Sequence, residues 1–236
     1  MRTSITLLVL LFSLLITLSQ VSAEVVVFDN YQTTYSLEDG KILVQKEIRL
    51  KNVGDNPIIP GEIHFKLSKL VSGGDREESI GASEFVVKNK FDQRLDTKIV
   101  PGTDFTDLVF TIWDPLLPQF YYDVTMTYWL DFKPRGILFY GIDIPAEHTT
   151  IPRKVETTSF VLPKKYHVTF APDALVSSEG SSTLLEWGPT ERLSFEYSII
   201  PFFRNDKIRA VNIFWLIVIV LVLGKTVFTF RKKGAE

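Results

Sequence analysis

From Lys41 to Leu50 the chain alternates, with Ile42, Val44, Ile48 and Leu50 on one parity and Gln45, Glu47 and Arg49 on the other. A period of two is that of a strand with one face in a core and one in water. The same rhythm returns as Ile63, Phe65 and Leu67 against His64, Lys66 and Ser68, as Leu108, Phe110 and Ile112, and as Leu193, Phe195, Tyr197 and Ile199. The longest run predicts a strand over residues 120–132. In it Phe120, Tyr122, Val124, Met126, Tyr128 and Leu130 share one face, and Tyr121, Asp123, Thr125, Thr127, Trp129 and Asp131 the other. Turn formers punctuate these runs: Asp39-Gly40, the stretch from Asn52 to Pro57, Pro60-Gly61, and Asp114 to Pro118. Ser72 to Ser79 has no apolar anchor and reads as a surface loop. The fold class expected is all-β, an antiparallel β-sandwich. Residues 24–148 form its main body and 149–203 a smaller β region, with the proline-dotted stretch 145–152 as a soft boundary.

One stretch breaks the period. Val211 to Phe230 has no polar side chain through its inner run Ile213 to Gly224, and as a helix it rises about 30 Å, the thickness of a hydrocarbon core. It reads as a transmembrane helix. Lys225 lies close enough to the basic end for its ammonium to snorkel, and Arg231, Lys232 and Lys233 close the span. At the other end Arg2 precedes an apolar run from Ile5 to Leu18 and the small residues of Val21-Ser22-Ala23, which reads as a signal peptide over 1–23. Residues 204–210 are then a juxtamembrane segment and 231–236 a cytoplasmic tail. The N-terminal body lies outside a cell membrane that the chain crosses once. Phe202, Phe203, Arg204, Lys207, Ile208 and Arg209 mix aromatic, apolar and basic side chains in the way of an interfacial zone. Within the span, Asn212, Gly224 and Lys225 are candidates for helix-to-helix contact, since small and polar residues hold helices together in lipid.

Charge narrows the partners. The 26 Lys and Arg, less Arg2, Lys225, Arg231, Lys232 and Lys233, face 28 Asp and Glu, less Glu236, so residues 24–210 carry a net charge of −6. Such a body repels phosphate backbones, and no nucleic acid is expected as a partner. The chain has no cysteine, which removes disulfides, thiolate catalysis and zinc-thiolate centres together. His64, His148 and His167 fall in separate segments, and no HExxH spacing exists. There is no GxSxG elbow and no DxDxDG loop. Asp123, Asp143 and Glu156 are carboxylates that a sandwich could bring together, but scattered carboxylates of this kind usually serve as solvating charge. No catalytic residue, cofactor or metal ligand is expected. Tyr121 and Trp129 are the candidate surface-interaction residues, because they place aromatic area on the outward face of the longest strand.

Leu138-Phe139-Tyr140 before Ile144-Pro145, the strand Thr158 to Pro163, then Leu185-Glu186-Trp187-Gly188-Pro189 and Ser194-Phe195-Glu196-Tyr197 ahead of one span resemble the ectodomain of ribophorin I. That family is a non-catalytic subunit of the oligosaccharyltransferase, built from exported β domains on a membrane anchor. The turn from Lys51 to Pro57 is similar to those of adhesion-type domains of the CARDB kind. Both resemblances imply a binding scaffold. The function expected is thus a non-catalytic interaction scaffold at the membrane, partnered by the lipid bilayer and by another membrane or envelope protein. The alternative is an accessory subunit of a membrane enzyme complex that meets its partners through the span.

Overall fold

The computed structural model describes residues 25–68, 70–72, 76–78, 81–131, 134, 136–190 and 192–233. Asp39 and Gly40 both take positive φ, 48° and 77°, the combination of the tight turn whose twist suits a hairpin. They join β1 (Val26–Glu38) to β2 (Lys41–Asn52), paired from Glu38↔Lys41 back to Val26↔Asn52 with one slip beside Phe28. The apolar run Val25 to Asp29 predicts only the start of β1. The strand continues because Tyr31, Thr33, Tyr35 and Leu37 keep the inward parity, all of them buried.

β2 pairs on its other side with β9 (Tyr121–Leu130), whose Val124, Met126, Tyr128 and Leu130 are buried as the alternation predicts. β6 (Ala82–Asn89) lies beyond β9. On the far side of β1 come β11 (Glu156–Pro163), β14 (Ser182–Trp187) and β13 (Leu175–Glu179), which complete a seven-stranded sheet. Two expectations are corrected here. β1 and β11 run parallel, from Tyr31↔Glu156 to Ser36↔Val161, so the sheet is mixed rather than antiparallel. Parallel neighbours need a long crossover, and no local turn signal announces one. The division expected near residue 148 does not separate the sheets either, because strands from Glu156 onward finish the sheet that β1 begins.

Two three-stranded sheets cover one face of this large sheet. The first is ordered β3 (Gly61–Ser68), β8 (Phe105–Ile112), β7 (Thr97–Pro101), and the second β10 (Phe139–Pro145), β15 (Arg192–Ser198), β12 (His167–Phe170). Phe65 of the first lies 5.9 Å from Phe28 and 6.2 Å from Tyr31, ring to ring. Phe195 of the second lies 4.5 Å from Phe160 and 6.0 Å from Trp187. The inward side chains of all three sheets form one continuous apolar core, in which each fully buried large side chain contributes roughly 1.5–3 kcal/mol. The opposite face of β2, with Gln45, Glu47 and Arg49, is exposed. Within the stretch expected as a loop, β4 (Leu70–Ser72) and β5 (Arg76–Glu78) pair as a short hairpin, and residues 73–75 and 79 lie outside the described residues.

Beyond the sheets the described chain ends in α1 (Ala210–Lys233), 24 residues long. The expected signal peptide over 1–23 and the end of the expected tail, residues 234–236, lie outside the described residues. In α1 the side chains are described as far as Thr226, and among the described residues no helix is long and apolar enough to cross a membrane. Residues 210–226 rise about 25 Å, whereas the helical backbone through Lys233 rises about 36 Å.

Candidate functional site

The alternation of β2 places Lys46 on the same inward face as Ile42, Val44, Ile48 and Leu50, and it is only 1% exposed. A lone ammonium there would carry a desolvation cost of several kcal/mol. It is not alone. Its Nζ lies 3.0 Å from Glu147 Oε2 and donates to Tyr31 OH at 3.1 Å and to Thr33 Oγ1 at 2.9 Å, which occupies its three donors. Thr33 is the residue opposite Lys46 in the β1–β2 ladder, so the register itself supplies that acceptor. Glu147 in turn accepts from Tyr31 OH at 3.1 Å and, on its other oxygen, from Tyr128 OH.

Glu147 sits in the segment that connects β10 to β11, and that segment runs along the seam between the two small sheets. His148 exchanges backbone hydrogen bonds with Lys66 of β3, at 3.0 and 3.1 Å. Pro152 O then accepts from Phe28 N at 2.8 Å, and Lys154 N donates back to Phe28 O at 2.9 Å. Arg153 holds its guanidinium 4.2 Å above the Tyr31 ring, donates to Glu147 O at 2.7 Å, and forms an ion pair with Glu156. The prolines that read as a soft boundary therefore belong to a strap fastened to β2 by a buried ion pair, to β1 and β3 by backbone hydrogen bonds and to β9 by the Tyr128 hydroxyl.

Burial alone would raise the Glu147 pKa, but the Lys46 charge, the Tyr128 and Lys46 hydrogen bonds and the Arg153 charge outweigh it and hold the carboxyl below its usual range. Burial lowers Lys46 against the pull of Glu147. Burial also pushes Tyr31, Tyr35 and Tyr128 well above the usual phenol value, with the Glu147 charge adding to it. With three donors on the Glu147 carboxylate and all three Lys46 protons placed, the cluster ties β1, β2 and β9 to the strap.

A cleft of about 620 Å³ opens over the strap, lined by Pro145, Glu147, His148, Arg153, Glu156 and Thr190 among others. Below it, around Lys46, only about 20 Å³ is free, room for a single water and no more. The three other carboxylates singled out in the sequence do not converge. Asp123 pairs with Arg49 at 2.6 Å, Asp143 with Arg192, and Glu156 with Arg153. His64 bonds Asp107 through Nδ1 at 2.8 Å, His148 lies on the cleft rim and His167 is exposed. Among the described residues no three His, Asp or Glu side chains gather as a metal site would need.

Tyr121 and Trp129 share the outer face of β9 but stand at its two ends, roughly 26 Å apart along a strand. Tyr121 is 46% exposed, with Arg49 and Lys51 above its ring at 5.4 and 5.2 Å. Trp129 is half-buried, across from Leu43 of β2 and Ser83 of β6. In α1, Asn212, Gly224 and Lys225 are exposed, and a Cβ added at Gly224 would meet nothing within 4 Å.

The first turn of α1 is different, because it is docked. Glu196, buried on the outward parity of β15, accepts from Ala210 N at 2.8 Å and from Val211 N at 3.4 Å, and it also accepts from Thr169 Oγ1 at 2.8 Å. These N–H groups have no partner within the helix, and a carboxylate there suits the helix dipole. Arg209 donates to Ser194 Oγ at 3.1 Å and lies 5.5 Å above the Phe170 ring. Gly141 makes room for it, since a Cβ at that position would come within 3.0 Å of Arg209 Nη1. Phe139 packs on Phe202 at 5.3 Å and on Phe214 at 5.7 Å. Sequence reading missed both constellations. The available signals were a lysine on the apolar parity of β2 and a glutamate between the core residues Phe195 and Tyr197.

No family model matches the chain, and no curated protein does. Among solved structures, it is similar to the M1 zinc metallopeptidase of Deinococcus radiodurans, with a TM-score of 0.40 at 10% identity. A mutant of that peptidase bound to a Tyr-Ser-Ala substrate gives a TM-score of 0.41 at 10% identity. In both cases the match covers 73% of this chain and 42% of the other, so this chain spans less than half the length of the structures it matches. A likeness this distant carries no statement about activity.

Proposed function

We propose that this chain is a single-span membrane protein whose β body is a non-catalytic interaction scaffold, held in a fixed attitude to the bilayer by the docked start of α1. The observation that carries this reading is the Glu196 cap. It joins a buried core strand to the first residue of a helix that, beyond the packing of Phe214 on Phe139, leaves Trp215, Leu216, Ile217 and Ile219 to Leu223 exposed. A long apolar helix left uncovered costs far less in lipid than in water. The body offers polar groups bonded to one another and dispersed ion pairs, which supports a rigid surface rather than a reaction centre. The uncovered Gly224 and Asn212 favour a second reading, an accessory subunit that meets its partners through the span.

The test is carbonate washing of membranes from cells that make the full chain or a chain ending at residue 205. The full chain is expected to stay with the lipid and the shortened one to wash free as a folded β protein. Full-length protein in the wash would overturn the reading. Replacing residues 211–230 by leucine and repeating mild-detergent purification separates the two roles, because loss of a partner only in the replaced chain assigns the contact to the helix.

A further inference from the structure

Phe139 fixes the depth of part of the body. Its ring packs against Phe214, which lies inside the stretch 211–230 read above as the span, so the start of β10 stands level with the first turns of α1. Residues beside Phe139 in space must share that level. Leu138 O accepts from Ser198 Oγ at 2.9 Å and from Ile199 N at 3.2 Å, which sets Ile199 against the segment before β10. Phe202, packed on Phe139, stacks on Phe203 at 4.6 Å. The apolar side chains at this level point to solvent: Ile137 is 86% exposed, Phe203 54% and Ile199 45%. Three parts of the chain thus put exposed apolar groups around the point where α1 leaves the body.

We infer that Ile137, Ile199 and Phe203 form a second membrane contact, inserted at the boundary of headgroups and acyl chains beside the helix. This rests on the spanning reading of α1. The occupant is a lipid surface, because a helix that continues into a bilayer brings that surface to the level of Phe214, and with it to these side chains. Lys207, exposed and flanking the patch, supplies positive charge that suits anionic headgroups, whereas the Arg204 charge is paired with Asp206 at 2.8 Å. Such a contact, together with the capped helix, leaves the body one tilt relative to the membrane, as an interaction scaffold requires.

The absence of cysteine makes the test direct. Full-length chains carrying Ile137→Cys, Phe203→Cys, Phe120→Cys or Val220→Cys are spin-labelled and reconstituted in vesicles of neutral and anionic phosphatidyl lipids. Collisional broadening by oxygen and by a water-soluble nickel chelate is then read. Labels at 137 and 203 are expected to lose most nickel broadening and gain oxygen broadening, as the label at 220 does, while the label at 120, beside Asn52 at the opposite end of β9, stays open to nickel. Open labels at 137 and 203 with a shielded label at 220 would overturn the second contact and leave the span intact. An open label at 220 would overturn both.

Discussion

Glu196 and Ala210 share a hydrogen bond between a buried strand carboxylate and the first N–H of α1, at 2.8 Å. Through it the end of the β body and the start of the helix become one rigid piece. Glu196→Ala leaves the Ala210 and Val211 N–H groups without their acceptor, while the Thr169 hydroxyl keeps the backbone carbonyl of residue 196 at 3.2 Å, and loss of a cap of this kind costs about 1–2 kcal/mol. The expected outcome is a lowered thermal midpoint and faster amide exchange at Ala210 and Val211. Glu196→Gln keeps an acceptor oxygen and should lose clearly less. Unchanged exchange in the alanine variant would show that the helix is not held there.

The ion pair of Lys46 and Glu147 is buried, so removing one partner strands the other. Lys46→Met and Glu147→Gln should each destabilise by about 3–5 kcal/mol, while the double variant should cost well below their sum. Urea unfolding of all four chains measures the coupling. Additive losses would mean that the two groups do not depend on each other.

Acid should act through the same carboxylate. Glu147 is held below its ordinary value of 4.5 in the fold, so the unfolded chain takes up its proton first. Its contribution is fully present above pH 4.5 and is lost as pH falls from there through the folded value. Stability measured against pH should drop in that acid window, and the drop should be shallower in Glu147→Gln. Identical slopes in the two chains would count against a depressed carboxyl.

Asn52, at the end of β2, is a smaller case of the same kind. Its side chain donates to Asn56 O at 2.8 Å and Leu116 O at 2.9 Å and accepts from Gly54 N at 2.9 Å, and it is fully buried. Asn52→Ala is expected to cost about 1–2 kcal/mol, since Gly54 N loses its acceptor and Asn56 O a donor, while Leu116 O keeps Ile58 N at 3.1 Å. Asn52→Asp should be little better, because a carboxylate would face two carbonyl oxygens. Thermal unfolding of both variants decides this, and a loss under about 0.5 kcal/mol would show that the turn holds without it.

Alternation along β2, β3, β9 and β15 was readable from residue types alone, because the period of side chains on a strand is a local property and each inward residue advertises itself. So was the Asp39-Gly40 turn, whose positive φ values need residues that tolerate them. The candidate surface residues Tyr121 and Trp129 were correctly put on one face, yet their separation along β9 and the cations over Tyr121 depend on neighbouring strands. Lys46 was visible as a basic residue on an apolar parity. Its partner was not, since Glu147 lies in a proline-dotted segment that looks like a linker until it is folded into the seam.

The amino-acid order by itself determined that the body is β, which strand faces are dry, where the hairpin turns fall and that the apolar stretch after Ala210 is helical, because each of these follows from side-chain chemistry within a few residues. Only the tertiary structure decided that β11 joins β1 in parallel, that residues 145–152 tie the sheets together rather than part them, and that Glu196 meets Ala210. Those are pairings between distant segments, chosen by which buried polar groups can satisfy one another once the core has closed, and no local pattern encodes them.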